Sequence, residues 1–532
     1  AAPAAGQPQA AAPAGALRGR VGAEGVAEFL GIPYAEPPVR NLRFRPSRPA
    51  KAWEGVRDAT ALGPACIQGA GAGPKKNVSE DCLYLNVFAP AGASALPVFV
   101  WVHGGAFISG SGGDYNGTQL ARQGLVVVTF NYRLAGLGCY ASQALAAEDA
   151  GFPSSGGMNA IGDQVLALKW VQQNIHAFGG NPAQVTVAGE SSGSISISFL
   201  LHMPAAKGLF RRVAAGSGSC IVAAAGSGLP RSPAEAAGIS AAWAASLGCG
   251  GGNATLGCLR GLPAESLVRG PWFGLRPSVD GALLAADPAL LPLAALPQES
   301  GAPELLFGST SLDTVCAPPW DDGSGTGPAR TRPWPVDCPA FNARLEELLG
   351  AGLAAEVAEK YPCGKGTSAP EVARLWLRLS RDVAVACPMA WLAGKALAAA
   401  PAARLRAYEF AYNANASWRG LAPHGAELPY VFDDASAGYF PDRLWNGSLA
   451  AAVSGYWGSF AASGTPRGPA AWPAFDEASE RFLRLGAESA AEVGYGQQSR
   501  CGFWRSFLAG GPSGSGPRRT KAYRALVNQC FT

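Results

Sequence analysis

Short apolar runs rich in β-branched residues alternate along the chain with longer stretches of helical periodicity. Residues 98–102, 125–130 and 185–188 predict buried strands, because each run is short and mainly apolar. Residues 162–177 carry apolar side chains at helical spacing, and the Phe-Gly-Gly-Asn segment that follows is typical of a helix end. A helix that leads into a buried strand is half of a β-α-β crossover. The pattern therefore predicts an α/β fold with a large, mostly parallel central sheet, helices on both faces, and ligands at the carboxyl ends of the strands.

One large domain is predicted, because no repeat, charge run or internal low-complexity linker divides the 532 residues. We place this domain at residues 17–508. Residues 1–16 are rich in alanine, proline and glycine, and residues 509–532 include a Gly/Ser/Pro/Arg-rich run. Both segments have the composition of disordered tails.

Composition argues against two classes of partner. The 42 basic and 38 acidic residues are scattered and give a net charge of +4, without the basic stripe that binds a nucleic acid. The longest apolar stretches, residues 96–102 and 195–201, are too short to cross a bilayer. We therefore expect neither a nucleic-acid partner nor a transmembrane segment.

The cysteines and the glycosylation sequons indicate a secreted protein. The 12 cysteines are dispersed and form no paired CxxC or Cys/His cluster, which favours disulfides and argues against a metal site. Residues 1–15 lack the basic and apolar regions of a signal peptide, so we expect that peptide to have been removed. Asn-x-Ser/Thr sequons agree with passage through an oxidising lumen. They are Asn77, Asn116, Asn253, Asn415 and Asn446.

The segment Gly-Glu-Ser-Ser-Gly, residues 189–193, directly follows the predicted strand 185–188 and precedes residues that can form a helix. So tight a turn between strand and helix accepts only small residues around its serine, and it exposes the hydroxyl above the sheet. The alternative is a chance Gly/Ser turn, which the strand and helix on either side argue against. Ser191 is therefore the candidate nucleophile.

A serine nucleophile needs a base and a third group that orients the base. Among the four histidines, His103 lies in a glycine loop, His176 ends a helix and His202 follows the nucleophile helix closely. His424 lies in a loop after the strand-like residues 405–412, in the expected chain order of serine, acid and histidine. We predict His424 as the base.

The acid should follow the end of a strand between the serine and the histidine. Residues 303–309 predict such a strand, and the loop after it contains Asp313. Asp321 and Asp322 are the alternatives. Asp313 would fix the tautomer of His424 and stabilise the imidazolium.

Backbone N–H groups are needed to bind the oxyanion of an acyl-transfer reaction. The predicted strand 98–102 ends in His-Gly-Gly-Ala-Phe, residues 103–107, where small residues let amides face a ligand. The N–H of Ser192 would complete the hole. A plain Gly-Gly turn is the alternative for this loop.

Together these segments resemble the type-B carboxylesterase and cholinesterase-like family from about residue 17 to residue 507. Residues 178–193, FGGNPAQVTVAGESSG, resemble the serine signature of the family, and residues 80–90, EDCLYLNVFAP, resemble its second signature. Further similar stretches are residues 30–46, 131–138, 423–432 and 457–466. The resemblance implies the α/β-hydrolase fold, with Ser191 as nucleophile, His424 as base and Asp313 as acid.

The resemblance also implies roles that the residues alone leave open. The first two oxyanion donors correspond to Gly105 and Ala106, and the third corresponds to Ser192. Structural ion pairs are implied between Arg43 and Glu80 and between Arg133 and Asp163. Implied disulfides are Cys66–Cys82, Cys249–Cys258 and Cys387–Cys501. Among the remaining cysteines we expect Cys316 to pair with Cys338.

Three features bear on substrate choice. Asp313 and Thr314 stand where most of the family has glutamate and glycine, although bile-salt-activated lipases also use aspartate. The loop between Cys66 and Cys82 contains no aromatic residue, whereas cholinesterases hold choline with a tryptophan there, so choline esters are not expected. Trp272 and Phe273 would form a bulky wall of the acyl pocket, with core packing as the alternative. Glu190, beside the nucleophile, would tune His424 electrostatically.

The sequence therefore predicts a serine carboxylic ester hydrolase that forms an acyl-enzyme, needs no cofactor, and acts on a small-molecule or lipid ester. The sequence is compatible with either a monomer or a homodimer. A thioesterase or amidase would use the same residues, and a non-catalytic adhesion or binding protein would keep only the fold. The intact Ser191, Asp313 and His424 argue against the binding protein.

Overall fold

The computed structural model describes residues 7–69, 77–148, 154–220, 232–250, 254–268, 275–288, 290–296, 302–313, 335–412, 421–438, 445–508, 519, 521–523 and 525–526. One large sheet and two small sheets are formed by these residues. The strands are β1 (Gln9–Ala12), β2 (Gly15–Arg18), β3 (Arg20–Val21), β4 (Ala27–Pro33), β5 (Val56–Asp58), β6 (Ala65–Cys66), β7 (Val78–Ser79), β8 (Tyr84–Ala89), β9 (Leu96–Val102), β10 (Val126–Phe130), β11 (Gly180–Glu190), β12 (Arg212–Gly216), β13 (Glu304–Thr310), β14 (Arg404–Phe410), β15 (Phe482–Leu485) and β16 (Ala490–Glu492).

The large sheet has eleven strands in the order β16-β15-β14-β13-β12-β11-β9-β10-β8-β4-β3. Neighbours from β15 through to β10 in this order run parallel, and the strands outside them pair antiparallel. The prediction of a large, mostly parallel sheet is confirmed. Because these parallel strands share one direction, the carboxyl ends of β9, β11, β13 and β14 meet at the same edge, where α/β folds bind their ligands.

The central strands are buried on both faces, as their continuous apolar sequence predicts. In β9, Val98 and Val100 face one hydrophobic core, whereas Phe99 and Trp101 face a second core on the other side of the sheet. Burying a side chain of this kind contributes about 1.5–3 kcal/mol relative to leaving it exposed. The strand that leads into the glycine loop at residues 103–107 is therefore fixed from both sides.

Helices cover both faces of the sheet. They are α1 (Thr118–Arg122), α2 (Ala135–Cys139), α3 (Gln143–Glu148), α4 (Asn159–Asn174), α5 (Ser192–His202), α6 (Pro233–Ser246), α7 (Ala254–Gly261), α8 (Cys338–Leu349), α9 (Ala351–Lys360), α10 (Ala369–Arg381), α11 (Cys387–Ala399), α12 (Leu428–Phe432), α13 (Gly447–Ser463), α14 (Tyr495–Gln498) and α15 (Cys501–Leu508). The predicted helix 162–177 corresponds to α4 and a 3-10 turn after it. Gly179 then adopts a φ of 79°, a left-handed conformation that glycine accepts without strain, and the chain turns into β11.

The amino-terminal segment, residues 1–16, differs from the predicted disordered tail wherever it is described. Strands β1 and β2 pair antiparallel within it. Ala10 and Ala12 are buried, and the N–H of Ala14 donates to the side chain of Asn174 at 3.1 Å. The prediction was wrong here because small alanine side chains pack closely against a neighbouring element, which composition alone does not reveal.

The described residues beyond 508 also pack onto the body, so the prediction of a C-terminal tail was wrong for them. Arg519, Tyr523 and Leu526 are buried. Arg519 pairs with Glu356 at 2.8 Å, and the Tyr523 hydroxyl donates to the carbonyl of Val383. These side chains anchor the end of the chain although the run before them has low complexity.

Residues 369–399 form the longest apolar helical segment, made of α10, a π turn at Asp382–Ala386, and α11. Its length and composition are compatible with a membrane span, but 67% of its most apolar window is buried inside the protein. The segment is therefore a core element of the fold.

Disulfides join four pairs of described cysteines. They are Cys66–Cys82, Cys249–Cys258, Cys338–Cys363 and Cys387–Cys501. The expected Cys316–Cys338 bridge is wrong, because Cys338 and Cys363 bracket the hairpin of α8 and α9 and pair across it. Cys316 and Cys530 lie outside the described residues.

Two buried ion pairs link segments that are distant in the sequence, at the positions that the family resemblance implies. Arg43 donates to both carboxylate oxygens of Glu80 at 2.7 and 2.6 Å. Arg133 donates to both oxygens of Asp163 at 2.8 and 2.7 Å. Such forked pairs fix orientation as well as distance.

Candidate active site

The nucleophile turn lies between the end of β11 and the start of α5. Ser191 adopts backbone angles of φ 58° and ψ −126°, a combination that residues other than glycine rarely adopt. A Cβ atom added to Gly189 would lie 2.8 Å from the carbonyl oxygen of Val102, and one added to Gly193 would lie 2.0 Å from the same oxygen. Both glycines are therefore required by close approach, as the sequence predicts.

The three predicted triad residues come together at the carboxyl edge of the sheet. Nε2 of His424 lies 2.8 Å from Oγ of Ser191, and Nδ1 of His424 lies 2.6 Å from Oδ1 of Asp313. The N–H of Thr310 donates to the other Asp313 oxygen at 2.9 Å. The arrangement can pass a proton from the serine to the histidine while the carboxylate holds the ring.

Two loops that follow neighbouring strands carry the acid and the base. The loop after β13 and the loop after β14 meet in a parallel bridge between Leu312 and Pro423. The N–H of Leu312 donates to the carbonyl of Ala422 at 3.0 Å, and the N–H of Ala422 donates to Oγ of Ser311 at 3.0 Å. These contacts fix Asp313 and His424 relative to each other. The alternative acids, Asp321 and Asp322, lie outside the described residues.

Three carboxylates surround the imidazole of His424. Besides Asp313, Oε1 of Glu190 lies 3.2 Å from Nε2. Burial by itself lowers the pKa of His424, but Glu190, Asp313 and Glu427 outweigh it and raise this pKa above its ordinary value of 6.5. His424 is therefore a stronger base than a solvated histidine.

Glu427 is a site residue to which sequence reasoning assigned no role. It is 1% exposed, and its Oε1 accepts from the hydroxyls of Tyr408 at 3.2 Å and Ser217 at 3.3 Å. Burial, together with the charge of Asp313, raises the pKa of Glu427 to about 7. The available signal was a glutamate three positions after the base, at the start of an apolar helix.

A small cavity of about 10 Å³ lies behind the triad, large enough for one water molecule. Glu190 and Glu427 line it together with Trp101, Tyr408 and Trp457. The two carboxylates thus line the same small cavity.

The glycine loop after β9 reverses the backbone next to the nucleophile. Gly105, Ala106 and Phe107 have φ values of 106°, 56° and 61°, so three successive residues adopt positive φ. The Tyr132 hydroxyl donates to the carbonyl of His103 at 2.8 Å, and its ring stacks on the His103 ring. The loop adjoins α5, because a Cβ on Gly193 would lie 3.0 Å from the His103 carbonyl oxygen. The predicted donors Gly105, Ala106 and Ser192 therefore belong to adjacent segments.

The other three histidines have surroundings different from those of His424. His202 is buried, and its Nδ1 lies 2.7 Å from the carbonyl oxygen of Ser198. Burial lowers the pKa of His202 to about 4. Nδ1 of His103 lies 2.7 Å from the carbonyl oxygen of Gly104, and His176 is exposed in a surface turn. The hydrogen bond to Ser191 therefore singles out His424.

The remaining predicted residues divide between surface and undescribed positions. Asn77 and Asn116 are exposed. Asn446 is half-buried, and its side chain caps α13 by accepting from the N–H of Leu449 at 3.0 Å. Outside the described residues lie Trp272, Phe273, Asn253 and Asn415. Within the described part of the chain, no group of three or more His, Cys, Asp or Glu side chains is arranged to hold a metal ion.

Comparisons with known proteins give one consistent result. A model of the carboxylesterase family matches residues 6–504. Para-nitrobenzyl esterase of Bacillus subtilis (strain 168) is 34% identical over 497 residues, which covers 88% of this chain and 93% of that protein. Cocaine esterase of Homo sapiens is 32% identical, with 91% and 88% covered, and acetylcholinesterase of Bungarus fasciatus is 30% identical, with 91% and 83% covered.

The solved structures agree. A PNB esterase structure superimposes with a TM-score of 0.73 at 30% identity, covering 93% of this chain and 99% of the other. The similarity thus extends over nearly the whole chain and includes every segment of the site.

Proposed function

The chain belongs to the carboxylesterase family and is a serine hydrolase of carboxylic esters, and we propose that it works through an acyl-enzyme formed on Ser191. The observation that carries this proposal is the continuous hydrogen-bonded chain from Ser191 through His424 to Asp313, with contacts of 2.8 and 2.6 Å. A non-catalytic adhesion or binding protein would require neither these hydrogen bonds nor a serine in a strained conformation at the end of β11.

In the first half-reaction, Oγ of Ser191 attacks the ester carbonyl while its proton passes to Nε2 of His424. The carbonyl oxygen becomes an oxyanion, and the N–H groups of Gly105, Ala106 and Ser192 bind it. The tetrahedral intermediate collapses as the C–O bond to the alcohol breaks, and His424 gives its proton to the leaving alcohol.

In the second half-reaction, water attacks the acyl-enzyme and gives a proton to His424. The intermediate collapses, the proton returns to Ser191, and the free acid leaves. Asp313 holds the Nδ1 proton of His424 throughout, so the ring keeps one tautomer.

The carboxylates around His424 have a consequence for pH. The base works only in its neutral form, and the pKa of His424 is raised above 6.5. Activity should therefore rise with pH through an apparent pKa above that of a solvated histidine. In return, the three carboxylates stabilise the imidazolium that forms in each transition state.

We propose small-molecule or lipid esters, other than choline esters, as the substrate class. Residues 66–82 contain no tryptophan to bind a choline cation. Two of the relatives given above are named para-nitrobenzyl esterase and cocaine esterase, which supports small-molecule esters as substrates. A thioesterase or amidase would use the same triad, so the leaving group must be tested directly.

We also propose that the protein is secreted and glycosylated. The disulfides between described cysteines support an oxidising compartment. The exposed sequons at Asn77 and Asn116 support accessible glycan sites.

The experiment that tests the proposal is hydrolysis of p-nitrophenyl acyl esters of increasing chain length, with the matched thioesters and anilides beside them. The parent should hydrolyse the oxygen esters fastest, and Ser191→Ala should lose activity by several orders of magnitude. Ser194→Ala, three positions after Ser191 and within α5 (Ser192–His202), is the matched control and should keep activity. Folded parent protein that shows neither turnover nor labelling by an organophosphate would instead support a binding protein.

A further inference from the structure

A buried arginine lies at the end of α10 (Ala369–Arg381), behind the strand end that carries the candidate acid. The Arg381 side chain is 8% exposed. Its Nη2 donates to Glu409 at 2.7 Å, its Nη1 donates to Oγ of Ser499 at 3.3 Å, and its Nε donates to the carbonyl of Thr310 at 3.2 Å. One guanidinium thus connects β13, β14 and the segment before α15 in the interior of the protein.

The contact with Thr310 connects Arg381 to the candidate acid. The carbonyl of Thr310 accepts from Arg381, and the N–H of the same residue donates to Oδ2 of Asp313 at 2.9 Å. Arg381 and Asp313 also attract each other electrostatically, and Asp313 is among the charges that act on the guanidinium. Displacement of Arg381 would therefore alter both the position and the electrostatic surroundings of the acid.

We propose that Arg381 is a positioning residue of the triad, which fixes the end of β13 beneath Asp313 and supplies a buried positive charge that offsets the carboxylates around His424. This inference rests on the proposed triad. Arg381 touches no reacting atom, so its effect reaches Ser191 only through Asp313 and His424.

Charged and titratable groups from several elements surround His424 and Arg381. His424 faces Glu190, Asp313 and Glu427, whereas Arg381 faces Glu409 on β14, Asp382 on its own segment, Tyr495 on α14 and Asp313. Glu409 also lies 3.7 Å from Arg484, and Asp382 lies near Tyr361, Arg378 and Arg500. Burial raises the pKa of Asp382 to about 6. Arg381 is thus the buried cation that this network places against the candidate acid.

The local helix geometry gives independent support. Directly after Arg381, the π turn at Asp382–Ala386 interrupts the helical run. Single π turns inside helices occur frequently at functional sites, where they change the direction of neighbouring side chains. Here the turn lies next to the residue whose guanidinium contacts the strand that leads to Asp313.

Two substitutions with opposite electrostatic effects test the proposal. Arg381→Met removes a positive charge, so the imidazolium of His424 becomes more stable and the acidic limb of kcat/KM should move to higher pH, by about half a pH unit or more. Glu409→Gln removes the carboxylate that partly neutralises the positive charge of Arg381. The imidazolium of His424 then becomes less stable, so the acidic limb of kcat/KM should move to lower pH. In each case the rate is measured as a function of pH, and kcat/KM is calculated with the concentration of active sites found by organophosphate titration.

The value of kcat distinguishes the effect of Arg381 on the position of the triad from the effect of its charge. Arg381→Met should lower kcat per titrated site about tenfold to a hundredfold with KM nearly unchanged, because a misplaced base costs transition-state stabilisation. Arg381→Lys keeps the positive charge but loses the planar guanidinium, which donates to several partners at once. This variant should therefore have the pH profile of the parent but a reduced kcat. If Arg381→Met does not fold, Glu409→Gln and Arg381→Lys carry the test.

Arg212→Met is the matched control, because Arg212 lies on β12 against Glu304 at the start of β13, far along the strand from Asp313. Arg212 and Glu304 are each 4% exposed, so this variant also removes a buried arginine from a buried carboxylate, which keeps a contact with Arg404 at 3.4 Å. It should lower stability yet leave the pH profile per titrated site unchanged. The proposal is overturned if Arg381→Met and Glu409→Gln shift the limb in the same direction, or if neither shifts it and kcat stays within twofold of the parent. Absence of titration in the parent would instead refute the triad on which the inference rests.

Discussion

Two histidines of this protein are buried in opposite electrostatic surroundings. His202, at the end of α5, is 2% exposed, and its ring contacts the backbone carbonyl of Ser198. His424, in the loop after β14, is 9% exposed, and carboxylate oxygens lie 2.6 and 3.2 Å from its two ring nitrogens. Burial lowers the pKa of His202 to about 4, whereas at His424 the carboxylates outweigh burial and raise the pKa.

Burial alone favours the neutral form of a histidine and lowers its pKa. The pKa of a buried histidine rises only where the fold places carboxylates close enough to its ring to outweigh that cost. In this protein that occurs at the carboxyl edge of the sheet, where loops from three strands converge.

The largest expected effect separates the two histidines directly. His424→Ala should lower kcat by about four to six orders of magnitude, since it removes the base. His202→Ala should leave kcat per titrated site within about threefold and should lower stability by about 1–3 kcal/mol. Ester hydrolysis and urea unfolding of both variants measure the contrast. A comparable loss of kcat in His202→Ala would show that the two regions are not functionally distinct.

The next effect concerns the acid. Asp313→Asn keeps the shape but removes the charge that selects the His424 tautomer, so kcat should fall by about 10⁴ with little change in KM. Steady-state kinetics with a p-nitrophenyl ester measure this. Asp337→Asn, at the exposed N-cap of α8, is a suitable control and should retain parent kinetics. If Asp313→Asn kept more than a tenth of the activity, another carboxylate would have to serve His424.

A smaller effect should follow from Glu190→Gln. Glu190 is the first of the charges that raise the pKa of His424, so its neutralisation should lower that pKa. The acidic limb of kcat/KM should then move to lower pH by about one unit. Glu427→Gln should move the limb in the same direction, by less. A shift to higher pH in either variant would contradict the electrostatic account of the site.

The smallest effect concerns stability around His202. Its folded-state pKa is depressed to about 4 from 6.5, so the fold prefers the neutral ring. The stability from this preference is complete above pH 6.5 and is lost as the pH falls towards 4, at no more than about 1.4 kcal/mol per pH unit. His202→Gln cannot titrate and should lack this component. Urea unfolding at several pH values measures both slopes, and identical slopes would refute the assignment.

Much of the fold and the core of the site could be predicted from local sequence. Strands β9 and β10 are mainly apolar, and the glycines that flank Ser191 reflect a close approach to β9. His424 was found by elimination among four histidines. Glu427 was missed because its partner Ser217 is 210 positions away, and no local pattern reports that approach.

The wrong predictions share a physical cause. Ala10 and Ala12 pack in the core although their composition resembles a linker, and Tyr523 anchors a segment that follows a low-complexity run. Cys338 pairs with Cys363 because a helical hairpin brings their ends together. In each case a tertiary contact decided the outcome, and composition carried no information about it.

From the geometry around Ser191 we infer that this residue is the nucleophile. The most direct measurement is mass spectrometry of the protein after reaction with an organophosphate, followed by peptide mapping. We expect one adduct per chain on the peptide that contains Ser191, no adduct in Ser191→Ala, and much slower labelling in His424→Ala. An adduct on another residue, or undiminished labelling of Ser191→Ala, would contradict it.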